Sequence, residues 1–183
     1  MSKNARVTGH TDLRTPDDLI EAGLAPEGAR PVLEEIARRY AIGVTPDLAR
    51  LIDVNDPSDP IARQFAPRAE ELIPMSVERS DPIGDDRHAP VDGIVHRYTD
   101  RVLLKPVHVC PVYCRFCFRR EMVGPAARET LTAQQLAAAL GYIAGHNEIW
   151  EVIVTGGDPF MLSPRRIGAL TARLGAIDHV KVI

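Results

Sequence analysis

Long apolar runs are absent from this sequence of 183 residues, and we expect no hydrophobic leader. No stretch approaches the ~18 consecutive apolar residues that a membrane-spanning helix needs. The first ten residues have no apolar segment of the kind that secretory signal peptides contain. We therefore expect a cytoplasmic protein that does not enter a membrane.

A strong charge of either sign is also lacking. The formal net charge is -3 at pH 7, and 26% of the residues are charged while 45% are hydrophobic. These proportions are typical of a soluble globular protein. A chain without a basic excess has no general attraction for nucleic acid or anionic lipid, so we expect neither as a partner.

Cysteine is scarce, and all three cysteines lie in one short loop. Cys110, Cys114 and Cys117 follow the spacing C-x3-C-x2-C. An odd number of closely spaced cysteines does not suit a disulfide framework and indicates a reducing compartment. Three thiolates so arranged can bind three irons of a [4Fe–4S] cluster and leave the fourth iron open to a small molecule.

A zinc- or cluster-binding module without catalytic activity is the alternative interpretation of this loop. Structural zinc sites usually combine paired C-x2-C knuckles or add histidines at fixed spacing. Neither pattern accompanies the three cysteines. The spacing therefore favours the cluster.

The chain changes character after residue 92. Residues 1–92 predict a helical region followed by an extended connector, whereas residues 93–183 alternate predicted strands with predicted helices. A strand is expected at 94–98, followed by a turn at 99–100. The strands of the parallel set are expected near 102–107, 150–154 and 179–183. Strand and helix in alternation are typical of parallel βαβ units. We predict an α/β fold, a partial (β/α) TIM-like barrel truncated after about three parallel strands.

Short helices are predicted in the N-terminal region. Thr15 and Thr45 each precede Pro-Asp, an arrangement that favours the start of a helix. Residues 55–92 contain repeated prolines and turn residues, which break long elements. We favour an ordered wrap over a flexible linker because apolar anchors recur there. The proposed anchors are Ile61, Phe65, Leu72, Ile73, Met75 and Val77.

Loops rich in chemically useful residues follow two of the predicted strands. The cysteine loop comes after the first strand, and Thr155-Gly156-Gly157-Asp158-Pro159 comes after the second. The carboxyl ends of adjacent parallel strands meet at one edge of a sheet. A glycine pair there lets a ligand approach the backbone, and Asp158 can hold an ammonium group.

The cysteine loop, with the aromatic Phe116 before its last cysteine, and the glycine-rich turn after the next strand together resemble the radical S-adenosylmethionine enzymes. More narrowly, three segments are similar to the lysine 2,3-aminomutase family: DRVLL at 100–104, CRFCFRR at 114–120 and TGGDP at 155–159. The resemblance is dense from residue 96 to 162 and weak before residue 81.

This resemblance implies that the three cysteines hold a [4Fe–4S] cluster whose open iron binds the methionine amino and carboxylate groups of S-adenosylmethionine. Reduction then cleaves S-adenosylmethionine to a 5′-deoxyadenosyl radical, which abstracts a substrate hydrogen. By this resemblance, the glycine turn contacts the methionine amino group, and the backbone around Phe116 and Phe118 contacts the adenine. The implied residues are Phe116, Phe118, Gly156, Gly157 and Asp158.

The resemblance also implies an isomerase that uses pyridoxal phosphate to move an amino group between neighbouring carbons of lysine or a related amino acid. Arg119 matches the family arginine that pairs with the substrate carboxylate, and Arg101 matches an arginine near pyridoxal phosphate. Arg115 and Arg120 receive no role. The family's pyridoxal-binding lysine is expected outside this chain.

The expected partners are a small amino acid substrate and an electron donor such as flavodoxin or ferredoxin, and a homo-oligomer is possible. A sibling interpretation is that a lysine product serves the modification of elongation factor P. The remaining alternative is an inactive fragment of such an enzyme.

Overall fold

The structure is a computed structural model that describes residues 11–123 and 130–183. Residues 1–10, which prompted the expectation that no leader is present, lie outside the described part. Internal contacts divide the chain into two compact units that interleave in sequence: residues 11–80 with 110–123, and residues 81–109 with 130–183. The predicted domain boundary between residues 92 and 93 stays a prediction.

The first unit is built from short helices. Both predicted helix starts are confirmed, because the Thr15 hydroxyl accepts a hydrogen bond from the Asp18 N–H and the Thr45 hydroxyl accepts one from the Leu48 N–H. The α-helices are α1 (Pro16–Glu21), α2 (Arg30–Arg39), α3 (Pro46–Leu51) and α4 (Ala62–Phe65), and 3-10 helices span Glu27–Ala29 and Ala69–Leu72.

The buried face of α2 organises this unit. Leu33 and Ile36 are buried, and so is Tyr40 immediately after the helix. The chain then turns, and Val44 exchanges two backbone hydrogen bonds with Leu13, at 2.9 and 3.0 Å. These contacts bring residues 40–44 back against the start of the unit.

The connector contains short ordered pieces, although the prediction of its anchors is wrong at three positions. Ile73, Met75 and Val77 are 66%, 63% and 77% exposed. They follow the 3-10 helix at Ala69–Leu72, in a stretch where the described residues form no strand or α-helix. Apolar residues in this part of the connector are therefore not sufficient to bury it against the rest of the protein.

The second unit is a three-stranded mixed sheet with two helices. Its elements are β1 (Ile94–Tyr98), β2 (Arg101–Val107), α5 (Ala133–Ala144), β3 (Glu151–Gly156) and α6 (Pro164–Gly175), with 3-10 helices at Asp86–His88 and Pro159–Met161. The strand order is β1-β2-β3; β1 runs antiparallel to β2, and β2 runs parallel to β3. The α/β class and the parallel pair are as predicted, and the sheet is not closed.

The prediction of a third parallel strand at residues 179–183 is wrong. Near residue 182 the described chain makes one isolated parallel bridge, between Glu151 and Val182. The parallel direction matches the prediction, but a strand requires consecutive ladder pairs. One bridge does not supply them.

The parallel register of β2 and β3 determines where the loop after each strand begins. Arg101 pairs with Glu151 at one end of the two strands, and Val107 pairs with Gly156 at the other. The glycine turn therefore lies beside the end of β2. Helices α5 and α6 cover one face of the sheet through a core that includes Ile94, Val102, Leu104, Ile143, Ile149, Val152, Leu170 and Leu174. Among the described residues, no helix combines the length and apolar character that crossing a membrane requires.

Candidate functional site

The three cysteines line one pocket. None forms a disulfide, and each is half-buried. The Cys117 N–H donates to the Cys114 carbonyl over 3.2 Å, which folds the short interval between them into a turn. The other lining residues are Tyr40, Ala41, Val112, Tyr113, Arg115, Arg120 and Val123.

The donor set fits an iron–sulfur cluster. Thiolates are the ligands that such clusters take, and each of the three would bind a different iron. Across residues 11–123 and 130–183, no three His, Cys, Asp or Glu side chains are grouped so as to hold one metal ion. A cluster with one thiolate per iron does not require its ligands to meet at a single point.

The surroundings of the Cys114 thiol disfavour its thiolate form by raising its pKa. Burial raises the pKa of this thiol, and the neighbouring Cys117 raises it further through charge repulsion. A bound cation reverses this balance because metal ligation stabilises the thiolate.

Two arginines of the cysteine loop bind the N-terminal region. The Arg115 guanidinium pairs with both carboxylate oxygens of Glu71, at 3.0 and 2.6 Å, and donates to the Ala41 carbonyl at 2.8 Å. Arg120 lies 4.0 Å above the Tyr40 ring and donates to its hydroxyl. Sequence reasoning assigned neither arginine a role, because the partners lie 44 to 80 positions away and no local pattern signals them.

The α4 segment supports the same loop. The Gln64 carbonyl accepts a hydrogen bond from the Arg115 N–H over 2.7 Å. At the start of this segment the buried Asp59 carboxylate accepts hydrogen bonds from the N–H groups of Ala62, Ile61 and Asp53. The bond from Ala62, aided by the other two, lowers the pKa of the Asp59 carboxyl against the opposing effect of burial.

We expect the stability of this unit to fall in acid through Asp59. A lowered folded-state pKa contributes stability above the ordinary aspartate value of about 3.9, and that stability is lost as the pH falls through the folded-state pKa. Unfolding by urea between pH 5 and pH 2.5 should therefore show a smaller pH dependence in Asp59→Asn than in the native chain. Glu78→Gln, which removes an exposed carboxylate, is the control; equal slopes for all three proteins would contradict the expectation.

Two aromatic residues of the loop, Phe116 and Phe118, face solvent. Phe116 is 68% exposed and Phe118 is 46% exposed. The Arg119 guanidinium carbon lies 4.6 Å from the centre of the Phe118 ring, a cation–π distance. The two rings, whose adjacent backbone is predicted to meet an adenine, are thus accessible, and Arg119 lies beside the Phe118 ring.

The glycine turn packs tightly against the end of β2. Gly156 has φ = 112°, which L side chains rarely adopt, and a Cβ there would overlap the Val107 carbonyl oxygen. A Cβ on Gly157 would stand 2.7 Å from the Val109 nitrogen. The sequence predicts that the glycine pair leaves room for a ligand. In the structure, glycine is also required at both positions because the backbone of residues 107–109 lies too close for a Cβ.

Asp158 closes this turn. Its N–H donates to the Val109 carbonyl at 2.9 Å, and its carboxylate accepts the Phe160 N–H at 2.9 Å. An ionised carboxylate can accept about four hydrogen bonds. One bond from Phe160 therefore leaves capacity for an ammonium group.

Arg101 lies at the other end of the sheet. Its guanidinium pairs with both oxygens of Asp100, each at 2.9 Å, and stands 3.4 Å from the Glu151 carboxylate. The structure therefore does not bring Arg101 together with the glycine turn. Its side chain joins the amino ends of β2 and β3 instead.

Comparisons with known proteins agree with the geometry of the loop. A family model described as a 4Fe-4S single cluster domain matches residues 98–179, which include the cysteines and the glycine turn. The L-lysine 2,3-aminomutase of Clostridium subterminale is 35% identical over 81% of this chain and 36% of its own length. Those of Fusobacterium nucleatum and Bacillus subtilis are 33% and 32% identical over 97% and 95% of this chain, and over 40% and 36% of their own lengths.

The chain thus spans well under half the length of these curated relatives. The shared stretch nevertheless contains all three motifs on which the sequence resemblance was based, and that resemblance is confirmed. The chain belongs to the lysine 2,3-aminomutase family of the radical S-adenosylmethionine superfamily.

Proposed function

We propose that this chain binds a [4Fe–4S] cluster through Cys110, Cys114 and Cys117 and works as a radical S-adenosylmethionine enzyme of the lysine 2,3-aminomutase type. The observation that carries the proposal is the C-x3-C-x2-C loop whose three thiols line one pocket, inside a stretch that matches a single-cluster domain. When bound, the cluster supplies one-electron reduction and an iron with an open position for S-adenosylmethionine.

The residues proposed to hold S-adenosylmethionine have the chemistry that this task needs. Asp158 offers a carboxylate with free acceptor capacity to the methionine ammonium group. Phe116 and Phe118 offer exposed ring faces and adjacent backbone to the adenine. Gly156 and Gly157 hold the turn that presents Asp158, because side chains there would push it away from β2.

For the substrate we propose lysine or a related amino acid, whose amino group migrates to the neighbouring carbon with the help of pyridoxal phosphate. Arg119 would bind the substrate carboxylate, since a guanidinium can pair with both carboxylate oxygens. The names of the relatives support this reaction class. For Arg101, a pyridoxal phosphate group would have to compete with two carboxylates that already surround the guanidinium.

The same proposal extends to the barrel fold, the cellular setting and the electron donor. The parallel pair β2 and β3, joined through α5, would be part of a (β/α) barrel, preceded by residues 1–92 as a separate region. The proposed setting is the cytoplasm, with flavodoxin or ferredoxin as the electron donor.

Anaerobic reconstitution with iron and sulfide tests the cluster. We expect a brown protein with about four irons per chain. On reduction it should cleave S-adenosylmethionine to 5′-deoxyadenosine. A colourless protein that retains one tightly bound zinc would overturn the proposal.

The same preparation separates the catalytic part of the proposal from the binding part. With lysine and pyridoxal phosphate added, an active chain should form an isomer of lysine with its amino group on the adjacent carbon, detectable by chromatography. A chain that binds four irons and yields no 5′-deoxyadenosine would refute enzymatic activity and retain cluster binding.

A further inference from the structure

We propose that Glu71, acting through Arg115, positions Cys114 and Cys117 as ligands. Arg115 lies between these two cysteines in the chain, and Glu71 lies in the 3-10 helix Ala69–Leu72 of the N-terminal region. The inference rests on the proposed cluster function and deepens it. It assigns the N-terminal region the task of holding the thiols at their spacing.

Arg115 forms hydrogen bonds with the N-terminal region through both its backbone and its side chain. Its N–H donates to Gln64, while its guanidinium donates to both oxygens of Glu71 and to the carbonyl of Ala41. The side chains of Arg115 and Glu71 are only 8% and 12% exposed. A planar guanidinium in a bidentate pair has a fixed orientation, so these contacts define where the backbone of residue 115 lies.

The cysteine loop has little internal structure to set this spacing by itself. The described residues 110–123 form turns, with no helix or strand among them. Phe116, the other residue between Cys114 and Cys117, has a mostly exposed side chain, which offers less contact to hold the loop than Arg115 does. The position of the two thiols therefore depends on Arg115 and on what holds it.

Neighbouring contacts strengthen this attachment. The Tyr113 N–H donates to the Gly43 carbonyl at 3.0 Å, and a Cβ on Gly43 would stand 2.8 Å from the Tyr113 ring. Arg120 adds its contact with Tyr40 on the far side of Cys117. Tyr40 also lines the pocket that contains the cysteines. The Glu71 carboxylate is at the centre of this arrangement, because its Oε2 also lies 3.9 Å from the Arg120 guanidinium.

The test compares cysteine alkylation in the iron-free chain of 183 residues. Replacing Glu71 by glutamine removes the charge that holds Arg115, and an unpaired buried guanidinium favours release of the loop. We expect iodoacetamide to modify Cys114 and Cys117 about fivefold faster or more, relative to Cys110, as such local opening exposes them. Peptide mass spectrometry gives the three rates separately.

Arg115→Lys is the second variant, because it keeps the charge and loses the bidentate geometry. It should reproduce the change if orientation is what matters. Arg97→Lys is the matched control: Arg97 also pairs with a carboxylate, that of Asp85, and donates to a carbonyl, but it belongs to the other unit. The control should leave the three rates within about twofold of the native chain.

Three outcomes would overturn the inference. These are unchanged relative rates in both variants, an equal rise at all three cysteines with loss of the helical circular dichroism signal, and the same pattern in Arg97→Lys. After reconstitution, the Glu71→Gln variant should also lose its iron to a ferrous chelator about tenfold faster than the native chain. Substitutions of residues that support metal ligands typically have effects of about this size. A native chain that takes up no cluster would refute the proposed function, while the alkylation pattern would still decide whether Glu71 positions the thiols.

Discussion

Replacing Cys114 by alanine is expected to abolish cluster binding. Two thiolates remain in the loop, and an open-site [4Fe–4S] cluster needs three protein ligands. Iron content after anaerobic reconstitution should fall from about four per chain to a small fraction of that value. Reductive cleavage of S-adenosylmethionine should fall below detection, because no cluster is present to supply the electron. Iron analysis, the visible absorption spectrum and chromatography of 5′-deoxyadenosine measure the three effects.

Val112→Ala is the matched control for this substitution. Val112 lines the same pocket as Cys114, and shortening it removes apolar contacts without removing a thiol. It should retain its iron. Full iron content in Cys114→Ala, or equal loss in both variants, would refute the assignment of Cys114 as a ligand.

Replacing Gly156 by alanine is expected to destabilise the second unit strongly. The residue has φ = 112°, and the new Cβ would overlap the Val107 carbonyl oxygen and stand 3.3 Å from the Lys105 Cα. Both obstacles are backbone atoms of β2, which cannot rotate away as a side chain would. Overpacking and a disallowed backbone conformation each cost about 1–3 kcal/mol, so we expect the free energy of unfolding to fall by about 3 kcal/mol or more. Urea denaturation followed by circular dichroism measures the change.

Gly168→Ala is the control for that experiment. Gly168 lies within α6, and a Cβ added there meets no atom within 4 Å. Alanine in an exposed helix interior should raise stability by about 0.5–1 kcal/mol. Equal unfolding midpoints for the two glycine variants would mean that the close approach at Gly156 does not limit stability.

Much of the site could be predicted because its signals are local. The cysteine spacing, the aromatic residue before the last cysteine and the Gly-Gly-Asp turn each occupy fewer than about ten consecutive positions, as short motifs with a chemical mechanism do. The starts of α1 and α3 were predictable for the same reason, since a threonine cap acts on residues three positions away. The pairing of β2 with β3 followed from strand and helix alternating along the chain.

Other features depend on distant neighbours and could not be predicted. The exposure of Ile73, Met75 and Val77 reflects the lack of a packing partner, which composition does not report. The predicted third strand is reduced to one bridge at Val182, because ladder pairing requires a neighbour in register as well as strand-forming residues.

The sequence by itself determined the family, the three thiols and the turn that follows β3, since each depends on the identity and spacing of a few neighbouring residues. Only the tertiary structure decided what holds those thiols in place. Arg115 carries no local mark that distinguishes it from Arg119 or Arg120, and its partner Glu71 lies 44 positions earlier. A buried ion pair forms when folding brings two charges together and excludes water from both, and no local spacing encodes that event. The same reason explains Gly156, whose requirement for glycine comes from the backbone of a neighbouring strand.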